Sequence, residues 1–139
     1  MSPWSQWLRS RDPQAHLRLG RRGEEAARAE LERLGLRILC GNYRHGRGEI
    51  DLIARDGEEL VFVEVKSRSS ETWTRPAQAV GRAKQRMLSD TALAYLNELG
   101  RPQVAFRFDI VEVLFDGGMA REVRHIANAF PLAAGRMYR

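Results

Sequence analysis

Residues 48–67 read GEIDLIARDGEELVFVEVKS, and the fold turns on how this stretch pairs with itself. Two runs of strand-forming residues, Gly48 to Arg55 and Glu59 to Ser67, flank Asp56-Gly57, a dipeptide that favours a tight hairpin turn. Successive side chains of a strand point to opposite faces. Glu49 and Asp51 therefore share a face of the first strand, and Glu64 and Lys66 share one of the second. A two-residue loop at Asp56-Gly57 pairs Arg55 with Glu58, which opposes Glu49 to Glu64 and Asp51 to Phe62. A turn two residues longer sets Asp51 against Glu64. Either register gathers Glu49, Asp51, Glu64 and Lys66 on one face, whereas a slip by one residue separates them.

Like charges facing each other destabilise a strand pair, so three carboxylates on one patch call for cations, and Lys66 supplies only one. A hard divalent ion is the natural remainder: Mg²⁺ takes one or two carboxylates together with waters and phosphate oxygens. Such an ion lowers the pKa of a bound water and stabilises charge on a phosphate. Glu-x-Lys in a strand is by itself a weak signal, since a solvated face of alternating charges produces it often. The preceding strand, with Asp51 on its alternation, makes the combination more specific.

Working outward, Gly23 to Leu34 has the three-and-four spacing of a helix, with Ala27, Leu31 and Leu34 on the apolar stripe and Gly35 as a stop. Glu24 lies on that stripe, where a carboxylate is costly unless something cationic meets it. Leu36 to Tyr43 reads as a short strand. Residues 68–76 form a polar loop, and a second helix is expected from Ala77 to Leu99, ended by Gly100 and Pro102. Val104 to Phe115 is an apolar strand. Asp116-Gly117-Gly118 then turns the chain into a short last strand at Val123 to Ile126. The order is α-β-β-β-α-β-β, an α/β fold with a mixed central sheet flanked by helices. Residues 1–22, with Arg9, Arg11, Arg18, Arg21, Arg22, Trp4 and Trp7, read as a basic N-terminal arm, and residues 23–139 as a single domain.

The chain has 139 residues, enough for one core and too few for two typical domains. No apolar run is long enough for a membrane span, and Met1 to Arg22 lacks the pattern of a signal peptide. One cysteine, Cys40, makes no internal disulfide, which suits a reducing cytoplasm. A net charge of +5 favours polyanionic partners such as nucleic acid without identifying them. Of the 23 basic residues only Lys66 and Lys84 are lysine, and the rest are arginine. Lysine is a compact point charge that approaches a single oxygen or water, so these two exceptions mark places to look. Lys84 falls near the middle of the second helix's apolar stripe, close to Val80, Met87, Leu88, Thr91 and Tyr95. Either its stem covers apolar surface and its ammonium snorkels, or it reaches across the sheet to the acidic patch. Gln85 stands at the stripe's edge.

Taken together, Gly23-Glu24, Ala27, Leu31, Gly35, Asn42-Tyr43-Arg44, Gly48-Glu49-Ile50-Asp51-Leu52-Ile53, Val61-Phe62-Val63-Glu64-Val65-Lys66-Ser67-Arg68, Lys84 and Arg107-Phe108-Asp109 closely resemble the bacterial YraN family. That family is similar to the restriction-endonuclease-like, PD-(D/E)xK superfamily, and most closely to the archaeal Holliday-junction resolvases. The resemblance implies a carboxylate on the first helix, matching Glu24, a metal-binding aspartate, matching Asp51, and the Glu-x-Lys pair, matching Glu64 and Lys66. Ile50 stands where the nominal motif has proline and touches no ligand. The expected activity is hydrolysis of DNA phosphodiester bonds with Mg²⁺ or Mn²⁺, the metal held by Asp51, Glu64 and Glu24, with Lys66 positioning the water. Glu49, Lys84 and Gln85 are auxiliary candidates. Arg44, His45, Arg47, Arg68 and Arg75 are candidates for phosphate contact, and Trp73 for stacking on a base. His45 lacks a nearby histidine or cysteine partner for zinc. Symmetric cutting of a junction requires a homodimer. The alternatives are a nucleic-acid-binding module without catalysis and an interaction scaffold. The latter rests only on Phe130, Leu132, Met137 and Tyr138, which read better as cover for the core or as a dimer contact.

Overall fold

The computed structural model describes residues 13–69 and 80–138, with side chains from residue 20 onward. Seven elements follow in the order α1 (Pro13–Arg33), β1 (Arg37–His45), β2 (Gly48–Asp56), β3 (Glu59–Ser69), α2 (Arg82–Glu98), β4 (Phe106–Asp116) and β5 (Met119–Phe130). The sheet runs β1-β2-β3-β4-β5 in space, antiparallel except for the parallel pair β3–β4, whose connection carries α2. This is the mixed α/β sheet with the expected order of elements. Trp4, Trp7, Arg9, Arg11, Trp73, Arg75 and the expected helical start at Ala77 lie outside the described residues.

The β2–β3 hairpin adopts the register that runs Asp51 toward Glu64. Its loop is Gly57-Glu58, because Asp56 pairs with Glu59 and Leu52 with Val63. Gly57 has φ +60°, the left-handed value that a type II′ hairpin turn asks of its first central residue. Both faces of the sheet are buried, which explains the nearly continuous apolar runs of its central strands. Ala27 and Leu31 of α1 pack on Leu52, Ala54, Val61, Val63, Val111 and Val113. Leu88, Ala92 and Leu96 of α2 pack on Ile50, Ile53, Phe62, Phe108 and Ile110. The C-terminal aromatics complete the second layer: Phe130 stacks on Phe108 at 5.0 Å, and Tyr138 meets Phe106 edge-on at 5.6 Å.

Several boundaries differ from the sequence expectation. Helix α1 begins at Pro13 rather than Gly23, with proline's fixed φ suited to a first helical position. Leu34 is 45% exposed, and Leu36 takes the buried place after the turn. Helix α2 starts at Arg82 with Gly81 as its N-cap in extended conformation. Strand β5 is 12 residues long, because the tight Gly117-Gly118 loop lets pairing propagate along a polar edge that apolar content alone does not reveal. No helix of the described residues is long and apolar enough to cross a membrane.

Helix α2 seats against the start of β2 through Gly48. A Cβ there falls inside the van der Waals radius of Thr91 Oγ1 and 3.3 Å from Thr91 Cβ. Thr91 is 2% exposed and its hydroxyl donates to the Met87 carbonyl at 2.7 Å, so it has little room to yield. Gly48→Ala is therefore expected to destabilise the fold by about 1–3 kcal/mol, as overpacking does, with part recovered by adding Thr91→Ala. Urea midpoints measure both effects, and an unchanged midpoint in the single variant contradicts this close approach.

Candidate active site

The central strands part at Asp51. Between the β1–β2 pairs Gly41↔Leu52 and Tyr43↔Ile50 lie Asn42, with φ +53°, and Asp51. Asparagine tolerates the left-handed region better than most residues, and the kink breaks the alternation of β2. Ile50 and Ile53, three apart, both lie in the layer beneath α2, while Leu52 packs under α1. The β2–β3 ladder stops at Leu52↔Val63. Beyond it the Val65 N–H donates to Asp51 Oδ2 at 2.8 Å, so a side-chain carboxylate takes the place of a neighbouring strand.

Glu64 comes next on β3, on the face that Phe62 presents to α2, and is only 5% exposed. Its Oε1 lies 3.1 Å from Lys84 Nζ and 4.0 Å from Lys66 Nζ. The chain's only two lysines thus converge on one carboxylate, and Lys84 reaches across from α2 instead of merely covering apolar surface. Burial pushes the Asp51 carboxyl up to about 7, the neighbouring Glu64 charge adds to the rise, and Glu24 and Glu49 add smaller amounts, against the opposing pull of the Val65 N–H. Four carboxylates therefore sit within electrostatic reach of one another.

Glu24 projects from α1, half-buried, and accepts from Asn42 Nδ2 at 3.2 Å. Glu49 pairs across the strands with Arg44 at 3.6 Å, a largely exposed contact of small energetic value. The Gln85 amide donates to the Val80 carbonyl at 3.1 Å, which ties it to the start of α2 and not to the carboxylates. Arg44, His45 and Arg47 are exposed on the β1–β2 hairpin. His45 and Arg47, with Arg86 and Arg136, border a cavity of about 400 Å³ beside Gly48. Arg68 Nε lies 3.7 Å from Glu112 Oε2.

Two residues near the site escaped the sequence reading. Arg28, one turn after Glu24, places Nη2 over Gly41, 2.8 Å from where a Cβ would stand. Glu112 is fully buried in β4 next to Lys66 in the strand register. Its signal was legible: a lone carboxylate in Ile110-Val111-Glu112-Val113-Leu114 needs a reason to be there.

A larger cavity, of about 660 Å³, lies away from these carboxylates beside Arg107 and His125. Its buried carboxylate, Asp109, is fully engaged. It accepts from Arg107 Nε at 2.9 Å, from the Asn128 N–H at 2.9 Å, and meets His125 Nε2 at 2.6 Å. Arg107 continues to Asp56 and Glu59 at 3.0 and 2.6 Å, so this network ties β4 to β5 and to the β2–β3 turn.

A mixed sheet whose central strands separate at a pair of carboxylates, one of them buried and met by two lysines, defines an α/β protein with its polar site at a strand split. Known proteins agree on where it belongs. The model of the uncharacterised protein family UPF0102 matches residues 23–113, a span holding Glu24, Asp51, Glu64, Lys66, Lys84 and Glu112. A UPF0102 protein of Geobacter sulfurreducens is 47% identical over 115 residues, covering 83% of this chain and 90% of that protein. One from Syntrophus aciditrophicus is 47% identical over 121 residues, covering 87% and 94%. Another from Chlorobaculum tepidum is 44% identical over 117 residues, covering 81% and 91%. The chain belongs to the UPF0102 family, the YraN family that its motifs resemble.

The raised Asp51 pKa, about 7 in the folded chain against about 4 when unfolded, makes stability depend on pH. The folded chain keeps a proton that the unfolded chain releases. Asp51's contribution is therefore complete below about pH 4 and is lost as pH rises through 7. Without divalent ions, Asp51→Asn should match the wild type near pH 4 and exceed it by about 1–3 kcal/mol at pH 8, given roughly 1.4 kcal/mol per pKa unit and partial solvent access. Urea unfolding at both pH values tests this, and a constant difference contradicts it.

Proposed function

We propose that this UPF0102 protein is a metal-dependent nuclease that hydrolyses phosphodiester bonds of DNA. The observation that carries the proposal is the Asp51–Glu64 pair at the strand split, a half-buried and a buried carboxylate, with Lys66 and Lys84 on Glu64. Burial first, and Glu64 next, raise Asp51, and a cation relieves both by favouring the charged carboxylates. Among the described residues no three His, Cys, Asp or Glu side chains stand close enough to enclose an ion. The residues therefore fit an ion that keeps most of its waters and takes two carboxylates, as Mg²⁺ or Mn²⁺ does. Asp51 and Glu64 would hold it, with Glu24, whose charge Asp51 feels, as the third candidate.

When bound, the ion supplies Lewis-acid stabilisation of charge on the phosphate and a more acidic water. The chain's own residues do the rest. The Val65 N–H holds Asp51 Oδ2 at 2.8 Å and so fixes this carboxylate against β3. Lys66, on the face of Glu64, positions the attacking water and offsets negative charge that grows as the P–O bond breaks. Lys84 holds Glu64 in place from α2. Arg44, His45 and Arg47 on the adjoining hairpin, with Arg68 further along β3, are the candidates for contact with the strand's phosphates. The resolvase resemblance makes branched DNA the first substrate to try, with a homodimer as the form that cuts it symmetrically.

A second reading, nucleic-acid binding without turnover, is favoured by the lack, among the described residues, of a third carboxylate close enough to enclose an ion. The two are separated by incubating the chain with branched, single-stranded and duplex DNA, with Mn²⁺ or EDTA, beside Lys66→Ala and Asp51→Asn. The nuclease reading expects cleavage only with Mn²⁺, reduced about 100-fold or more in both variants, the scale of losing a catalytic group. Binding without cleavage, unchanged in both variants, favours the binding module.

A further inference from the structure

Helix α2 carries cations on two sides. Lys84 turns inward and meets Glu64 at 3.1 Å, whereas Arg82 and Arg86 are exposed. At 3.6 residues per turn the two arginines, four apart, share a face, and Lys84 between them points to the opposite side. Neither arginine has an ion pair or hydrogen bond among the described residues, and the same holds for the exposed Arg47 on the β1–β2 hairpin. This placement costs the protein stability when it stands alone. Like charges four apart on a helix repel. Arg82 also opens α2, where it faces the positive end of the helix dipole with no acidic residue in the first turn to offset it.

Two cavities, each of about 400 Å³, share Arg86 as a wall. One lies between α2 and the β1–β2 hairpin, with His45 and Arg47 on its rim. The other lies between α2 and the chain that follows β5, with Arg82 on its rim. Asp90, the one acidic residue that lines either cavity among the described residues, is already matched: Arg136 Nε and Nη2 donate to its two oxygens at 3.0 and 3.3 Å. The two cavities therefore form a track over the outer face of α2 along which three arginines lack any counter-charge. The track adjoins the candidate active site, because Gly48 lines the first cavity and stands three residues from Asp51 on β2, about 10 Å away.

We infer that the outer face of α2 binds the backbone of a nucleic-acid strand, with Arg47 and Arg86 holding phosphates in the first cavity and Arg82 extending the hold into the second. The inference rests on nucleic acid as the partner, which the nuclease and the binding module have in common, and not on turnover. Arginine suits the task, since its planar fork matches a phosphate with two parallel hydrogen bonds. At about 3.4 Å of axis per phosphate in each strand, the first cavity lies some three phosphates from Asp51. Contacts of this kind set register and orientation without reading sequence.

Counter-ion release supplies a readout that a merely solvated arginine does not move. Each phosphate contact contributes about 0.7 on single strands and about 0.9 on duplex to the slope of log affinity against log salt. The measurement is fluorescence anisotropy of labelled branched DNA in EDTA, where cleavage plays no part, over roughly 50 to 200 mM salt. Arg86→Ala is expected to make the slope shallower by about 0.7–0.9, and the Arg82→Ala, Arg86→Ala double variant by about twice that. Arg37→Ala is the control: Arg37 is exposed at the far end of the β1–β2 ladder, opposite Arg55, and its loss is expected to leave the slope unchanged. Melting curves should show the α2 variants no less stable than the wild type, because a repulsion has been removed. Wild-type slopes in both α2 variants, or an equal drop in Arg37→Ala, overturn the inference. It also falls if the wild type binds phosphatidylserine vesicles and not DNA, which would assign this face to a membrane surface. Shallower slopes without cleavage by the wild type in Mn²⁺ count against the nuclease reading alone, and cleavage with unmoved slopes counts against this inference alone.

Discussion

One hydrogen bond, from the Val65 N–H to Asp51 Oδ2, holds the site at the point where the sheet would otherwise lose a partner. A buried backbone donor left unpaired costs about 1–3 kcal/mol, and β2 has kinked away by this point. The carboxylate that satisfies the donor is thereby fixed beside β3, where burial, and next the Glu64 charge, drive Asp51 up to about 7 against the pull of that same N–H. The energetic consequence is a site more crowded with negative charge than the protein alone neutralises comfortably. Lys84 and Lys66 relieve part of it at 3.1 and 4.0 Å. Their arrival from a helix and from the strand itself explains why an arginine-rich chain keeps lysine at these two positions: a point charge approaches one oxygen where a guanidinium fork is too wide.

The two ends of the sheet divide rigidity and chemistry between them. Around Asp109, every acceptor is used, and Arg107 and His125 lock β4 to its neighbours. Around Asp51 and Glu64 the strands separate, and charge is left to be completed from outside. Both faces of the intervening sheet are closed by α1 and α2 over apolar layers, so a displacement at the split is resisted by packed cores on either side. That contrast suits a site that binds charge without reorganising.

Much of this was legible in the sequence because a hairpin converts spacing into geometry. Alternation and the turn at Asp56-Gly57 allowed two registers; the fold takes the one expected of a longer turn, but with a two-residue Gly57-Glu58 loop, and its ladder stops at Leu52↔Val63, one pair short of Asp51 and Glu64. The order of elements followed from periodicity and from Gly and Pro at the turns. What escaped depends on non-local facts. Strict alternation fails at Asp51 because Asn42, on the next strand, adopts positive φ. Gln85 stood at the right helical angle but is spent on the Val80 carbonyl. Glu112 comes beside Lys66 only when β4 is laid parallel to β3, a pairing that no local signal specifies. Strand β5 exceeds its apolar segment because its hairpin, not its composition, sets its length.

The central claim is that Asp51 and Glu64 form a repulsive pair at the strand split, proposed to be completed by a divalent ion. Carboxyl ¹³C NMR of the labelled protein, titrated with pH in EDTA and again with Mg²⁺, tests it most directly. The account predicts that the Asp51 resonance titrates near 7 in EDTA, and that Mg²⁺ moves its midpoint toward the ordinary range of about 4. A midpoint already near 4 without divalent ion, or one near 7 that Mg²⁺ does not move, would contradict it.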